Sequence, residues 1–248
     1  MGQRVDRAPV CAAPFFPLLA TARAGHGQKA DRSQFAEPPG GTIGGMGFFD
    51  RNRAKYVAAG VDSARIPPGQ YVTERWPVLH EGAVPAVDTA LWTFTVDGLV
   101  AEQKEWGWEE FRALDASDLF TDIHCVTKWT KLDTRWEGVS VRAVWDAIEP
   151  DPAASAVMVR DVGGYTANLP LDDFLRDGSM FAHTFDAKPL EPEHGGPMRL
   201  VVPHLYFWKS VKWVAGFTVL AEDEPGYWEQ NGYHIYGDPF QEQRLTND

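Results

Sequence analysis

The chain has 248 residues, 44% of them hydrophobic and 12% aromatic, enough for one sizeable core with a small appendage. A formal net charge of −12 and a pI near 5.0 disfavour non-specific binding to nucleic acid or an anionic membrane surface. No apolar run reaches the ~18 residues a membrane span needs, and the two cysteines, Cys11 and Cys125, give no disulfide framework and suit a reducing compartment.

Residues 1–45 contain none of the ten tryptophans and none of the seven tyrosines, and carry a charge of +2 against −14 for the rest. Their charged start, apolar middle and small residues have the layout of an export signal, but three prolines interrupt the apolar stretch and no twin-arginine pair precedes it. They read as an unstructured or overextended leader, with the fold in residues 46–248. The expected location is cytoplasmic, or periplasmic or exported if the leader is a working signal.

From Met46, GFFDRNRAKYVAAG predicts a short basic helix. Pro67, Pro68, Pro77 and Pro85 exclude a long helix across 66–85 and leave a loop that covers or lines a site. LWTFTVDGLV (91–100) reads as a strand ending in an Asp97-Gly98 turn. Trp108, Phe111 and Leu114 share one face of a short helix, and FTDIHCV (120–126) is a strand that delivers Cys125 at its end. In SVRAVWDAI (140–148), Val141, Val144, Trp145 and Ile148 take the i, i+3, i+4, i+7 positions of an amphipathic helix. SAVMVRD (155–161) is a buried strand, and a helix begins near Leu171 with Asp172 and Asp173 favourable in its first turn. MFAHTFD, MRLVVP and VKWVAGFTVLAE are further strands. Strands and helices mix without a repeat, so the class is α+β, with mixed sheets and short helices in one domain. GGTIGG (40–45) opens no strand–helix unit and is not a nucleotide loop.

Cys125 carries the chemistry. A lone thiol cannot complete a cysteine-rich zinc site, but it can supply one thiolate to a metal whose other ligands come from a cofactor. His124, Lys128, Lys131 and Arg135 lie within ten residues of it, and cations favour the thiolate. From the residues alone three roles stay open: a buried structural thiol, a nucleophile or a metal ligand. Downstream, PMRLVVPHLYFWKSVKWV (197–214) places Arg199, Lys209 and Lys212 around two apolar runs. Arg199 offers a bidentate fork for phosphate and Lys212 a point charge.

DIHCVTKWTKLDTRWEG (122–138) and HGGPMRLVVPHLYFWKSVKWV (194–214) resemble the sulfite oxidase family of molybdopterin enzymes, and within it the periplasmic methionine sulfoxide reductase subunits. The resemblance runs over about residues 66 to 244. It implies that Cys125 binds molybdenum, and that His194, Arg199, Ser210, Val211 and Lys212 hold the pterin from one side. The loop YVTERWPVLH (71–80) would cover the other, with Thr73, Arg75, Trp76, Pro77 and His80 as its contacts. Asp161 falls near a further cofactor position.

The family's arginine pair just after the cysteine is missing: the chain has Val126, Thr127, Lys128, Trp129, Thr130 and Lys131 there. This argues against sulfite and for a bulkier or less charged substrate, with Lys128, Lys131 or Arg135 stabilising its charge. The resulting expectation is a monomeric molybdopterin-dependent oxidoreductase. It would carry out oxygen-atom transfer on a small sulfur or nitrogen oxide, exchanging electrons with an external donor or acceptor protein. The alternatives are a metal-free thiol enzyme with His124 or another histidine as base, and a pterin-binding protein without turnover. His183 and His204 are expected to be packed, and the aromatic tail 225–244 to wrap the core.

Overall fold

A computed structural model describes residues 47–248, so the reading of residues 1–45 as a leader lies outside the described residues. In chain order, α1 (Phe48–Ala58), β1 (Tyr71–Val72), β2 (Thr93–Gly98), β3 (Lys104–Gly107), α2 (Trp108–Arg112) and β4 (Ala116–His124) lead to the long β5 (Trp129–Ser140). Then follow α3 (Val141–Asp146), β6 (Ala156–Asp161), β7 (Thr166–Pro170), α4 (Leu171–Phe174), β8 (Met180–Phe185) and β9 (Lys188–Pro189). The last elements are β10 (Arg199–Val201), β11 (Val214–Leu220) and α5 (Tyr227–Gln230). Among the described residues no helix is long and apolar enough to cross a membrane.

Two mixed sheets form, and with the short helices they bear out the α+β expectation. In the first, β1 runs parallel to β5, which also pairs antiparallel with β4 and β8, and β8 pairs with β10 and β9. The second has the order β3-β2-β11-β6-β7, with β2 and β11 parallel. Strand alternation explains how the first sheet is buried on both faces. Phe181 of β8 and Leu200 of β10 face the second sheet, in a core with Phe94, Phe111 and Phe217. Met180, Ala182 and Val201 face the other way, into a separate cluster with Cys125, Trp129, Trp136, Phe207 and Trp208. The first core combines aliphatic side chains with a set of touching aromatic rings, with Phe94 and Phe111 ring centroids 4.5 Å apart.

Most predicted elements are present, displaced by a residue or two. The expected helix after Ser140 is capped by its own sequence, since the Ser140 hydroxyl accepts from Ala143 N at 3.1 Å. The main addition is β5, read in the sequence as a cluster of cations, Trp and Thr. Gly138 in it is required by close approach, because a Cβ there would lie 2.0 Å from Phe181 O across the β5–β8 pair.

The C-terminal segment is riveted to the second cluster. Lys209 and Glu229 form an ion pair at 2.6 Å with side chains 0% and 2% exposed, and Trp208 Nε1 donates to the same Glu229 oxygen at 2.7 Å. Lys209 Nζ also donates to Asn168 Oδ1 at 2.6 Å and Ile235 O at 2.7 Å. These bonds hold the tail beside the 3-10 turn Phe207–Lys209.

Candidate active site

A cleft of about 360 Å³ opens on the second cluster. Its innermost reactive group comes from the end of β4. There the chain turns sharply: Lys128 N donates to Cys125 O at 3.0 Å, Cys125 N to Trp129 O at 2.9 Å, and Lys128 takes a φ of +72°. Gln70 Nε2 grips the Cys125 carbonyl at 3.1 Å from the side of β1. Cys125 is 8% exposed yet lines the cleft with Val126, Thr127 and Trp129. Burial pushes its thiol pKa up, opposed by the Thr127 hydroxyl, which donates to Sγ at 3.1 Å, and by Lys212.

Two cations share the same cleft. Arg199 is 1% exposed, lies 4.1 Å from the Phe207 ring centroid, and donates to His194 O at 2.7 Å and Ser210 O at 2.8 Å. Lys212 Nζ donates to Leu79 O at 2.8 Å and Glu193 O at 2.6 Å. Among the described residues neither forms an ion pair; their partners are neutral carbonyls. Burial pulls Arg199 down to about 9, and burial with the neighbouring Arg199 pulls Lys212 down to about 7. His194 falls to about 4 for the same reasons, through burial and then Lys212 and Arg199. Its Nδ1 is buried without a hydrogen-bond partner among the described residues. Arg199 and Lys212 beside the thiol form a site whose field favours an anion, whereas His194, expected as a contact, does not line the cleft.

The loop 73–85 is a strap over this floor. Trp76, Pro77 and His80 line the cleft as expected, with Leu79 and Glu81 in addition. Trp76 stacks on His194 at 3.7 Å between centroids, and His80 meets Trp213 edge-on at 5.9 Å. Thr73 and Arg75, expected as contacts, do not line the cleft. They root the strap instead, with Thr73 N donating to Thr130 O at 2.9 Å and Arg75 N to Thr73 Oγ1 at 3.1 Å. Asp161 and Ser210 line the cleft. Asp161 Oδ1 accepts from Gly163 N at 2.7 Å and Tyr165 N at 2.8 Å, and burial raises its pKa. Val211, expected as a contact, lies in the first core and does not line the cleft; its carbonyl accepts from Leu200 N at 2.8 Å.

The three cations expected beside the substrate are elsewhere. Lys128, turned by its left-handed backbone, places Nζ 5.3 Å from the Phe49 ring centroid of α1. Lys131 Nζ is engaged by Glu74 O at 2.9 Å, under the strap's root. Arg135 sits on the exposed side of the β4–β5 ribbon, 3.4 Å from Asp118 and 3.3 Å from Glu137. None lines the cleft. His124 does not line it either: Nδ1 is 3.0 Å from Thr130 Oγ1, and burial depresses its pKa to about 4. That removes His124 as the base of the thiol-enzyme alternative and leaves His80 as the histidine that lines the cleft. His183 and His204 are packed, bonded to Thr184 Oγ1 at 2.8 Å and Asp173 Oδ1 at 2.9 Å.

Sequence reading missed Thr127, Tyr165 and most of an aromatic wall. Tyr165 OH donates to Trp208 O at 2.7 Å, and Trp228 of the tail stacks on Tyr233 at 4.9 Å. Trp208, Trp228 and Tyr233 all line the cleft, so the tail reaches the site. The density of aromatics in 225–244 is the signal that pointed to it.

The family described as oxidoreductase molybdopterin binding domain matches residues 81–228. The uncharacterized oxidoreductase YuiH of Bacillus subtilis (strain 168) is 46% identical over 187 residues, 75% of this chain and 94% of YuiH. The catalytic subunit MsrP of the protein-methionine-sulfoxide reductase of Pseudomonas syringae pv. tomato is 23% identical over 94% of this chain and 77% of its own. The sulfane dehydrogenase SoxCD from Paracoccus pantotrophus shares the fold with a TM-score of 0.53 and 18% identity, over 58% of this chain and 42% of the SoxCD chain.

Proposed function

The chain belongs to the oxidoreductase molybdopterin-binding domain family, and from that premise we propose that Cys125 is its protein ligand to molybdenum and that its reaction is oxygen-atom transfer on a small sulfur or nitrogen oxide. The observation that carries this reading is the pairing of a cleft thiol with a buried Arg199 and a half-buried Lys212, whose only hydrogen-bond partners among the described residues are neutral carbonyls. Such cations are costly to bury without a counter-charge, and an anionic pterin phosphate and dithiolene supply it. The donor set fits the cofactor in a second way. Among the described residues no three His, Cys, Asp or Glu side chains converge on one point, so a metal at Cys125 would draw its remaining ligands from the cofactor.

When bound, the molybdenum cofactor supplies two-electron oxygen-atom chemistry; the chain supplies position and field. Arg199 and Lys212 hold negative charge at the floor. Trp76, backed by the stacked His194, would meet the heterocycle, and Asp161 would offer an acceptor for its amino groups. Trp129, Trp208 and Tyr233 wall the cleft near Cys125 with apolar and aromatic surface. With Lys128, Lys131 and Arg135 outside it, this wall suits a substrate without full negative charge. The likeness to a methionine-sulfoxide reductase subunit puts a sulfoxide first among the substrates to assay. Electrons reach or leave the site through an external partner protein, and the chain acts as a monomer.

Elemental analysis of the purified protein, paired with fluorescence of the released, oxidised pterin, tests the reading. Stoichiometric molybdenum is expected, lost in Cys125→Ser, with the pterin signal lost in Arg199→Ala. Metal-free and pterin-free protein from a host that makes the cofactor would overturn it.

A further inference from the structure

The short link between β4 and β5 does more than present the sulfur. Two backbone bonds, Lys128 N to Cys125 O at 3.0 Å and Cys125 N to Trp129 O at 2.9 Å, close the sequence Cys125-Val126-Thr127-Lys128-Trp129 into a tight loop. Lys128 completes it from the left-handed region, at a φ of +72°. The loop folds the Thr127 side chain back over Cys125, so that Oγ1 lies 3.1 Å from Sγ. Among the described residues this is the one side-chain hydrogen bond to that sulfur, and the backbone amides of Val126 and Thr127 add to it. Thr127 also lines the cleft, next to the sulfur that would bind the metal.

A hydrogen bond donated to a metal-bound thiolate withdraws electron density from the sulfur. Donation to the metal weakens, the reduced state gains relative to the oxidised one, and the reduction potential rises. A threonine is suited to this: its β-branch limits χ1 and keeps the hydroxyl in one orientation. We propose that Thr127 is a positioning residue which, through its Oγ1–H···Sγ bond, fixes the Cys125 rotamer and raises the reduction potential of molybdenum at this site. The proposal rests on Cys125 being the metal ligand.

The test uses holoenzyme of Thr127→Val, which keeps the shape and removes the hydroxyl, and of Thr127→Ser, which keeps the hydroxyl. Molybdenum and pterin content are measured first, then the molybdenum midpoint potential by redox titration followed by electron paramagnetic resonance. The expected result is full metal content in both variants, a more negative potential in Thr127→Val, and the wild-type potential in Thr127→Ser. Loss of metal in Thr127→Val but not in Thr127→Ser would also assign the hydroxyl to holding the sulfur. An unchanged potential in Thr127→Val, or equal metal loss in both variants, overturns the proposal. Cys125→Ser separates this from the ligand assignment. If that variant keeps molybdenum with an unaltered spectrum, the ligand reading fails; if it loses the metal while Thr127→Val behaves as wild type, only the role of Thr127 fails.

Discussion

The Trp76 indole and the His194 imidazole stack with centroids 3.7 Å apart and planes 10° from parallel. Trp76 belongs to the strap and His194 to the 3-10 turn Pro192–His194, so this contact joins the strap to that turn. Lys212 reinforces it by donating to one carbonyl on each segment, Leu79 O and Glu193 O. Trp76→Ala removes the stack, an interaction worth about 0.5–1.5 kcal/mol beyond buried area. Pterin should dissociate up to about tenfold faster, as measured by fluorescence of free pterin after rapid dilution, with little change in the far-UV spectrum. Unchanged release would mean that the Trp76–His194 stack does not hold the strap closed.

The electrostatics of the floor predict a pH dependence with a definite sign. Lys212 has a pKa near 7 in the folded chain against 10.5 ordinarily, and His194 near 4 against 6.5. In each case the unfolded chain binds the extra proton between the two values, so stability rises with pH across that window. Arg199 acts in the same direction above about 9. Cys125 acts in the opposite sense once pH passes the ordinary thiol value of 9.0, because its folded pKa is raised. Cofactor-free protein should therefore melt at higher temperature as pH rises from 7 towards 9, with a smaller slope in Lys212→Met. Binding an anion restores the lysine charge, so pterin affinity should fall over the same interval. Calorimetry in buffers of different ionisation enthalpy would register the proton uptake.

Much of this site was legible in the sequence because its residues sit where strands end. The apolar run Phe120–Val126 stops at a turn, and that stop puts Cys125 at the cleft. Arg199, Ser210 and Lys212 were legible as cations and a hydroxyl bracketing apolar runs. The strand β5 was not, because its charged residues mask its period. Only Thr134, Arg135, Trp136 and Glu137 alternate clearly, with Thr134 and Trp136 at 0% exposure. The positions of Lys128, Lys131 and Arg135 were illegible for a related reason. Side-chain direction there depends on the left-handed backbone of Lys128 and Asp133 and on the irregular β4–β5 pairing between Thr121 and Ile123. Proximity in sequence to Cys125 therefore did not become proximity in space.

The tail supplies the last prediction. Lys209 and Glu229 are buried to within 2% of full enclosure and share one carboxylate oxygen with Trp208 Nε1. Burial lowers the Lys209 pKa, and Glu229 is the charge that counters the effect. Removing one partner of a buried pair leaves the other charge uncompensated and costs about 3–5 kcal/mol, whereas replacing both by apolar groups costs less. Glu229→Gln should thus lose stability in that range by denaturant titration, and Lys209→Met/Glu229→Leu should recover part of it. Because Glu229 neighbours Trp228, whose ring lines the cleft with Tyr233, the single variant should also release pterin faster than the double one. A larger loss in the double variant than in Glu229→Gln would show that the hydrogen bonds from Lys209 to Asn168 and Ile235, rather than the charge pair, fasten the tail to the 3-10 turn Phe207–Lys209.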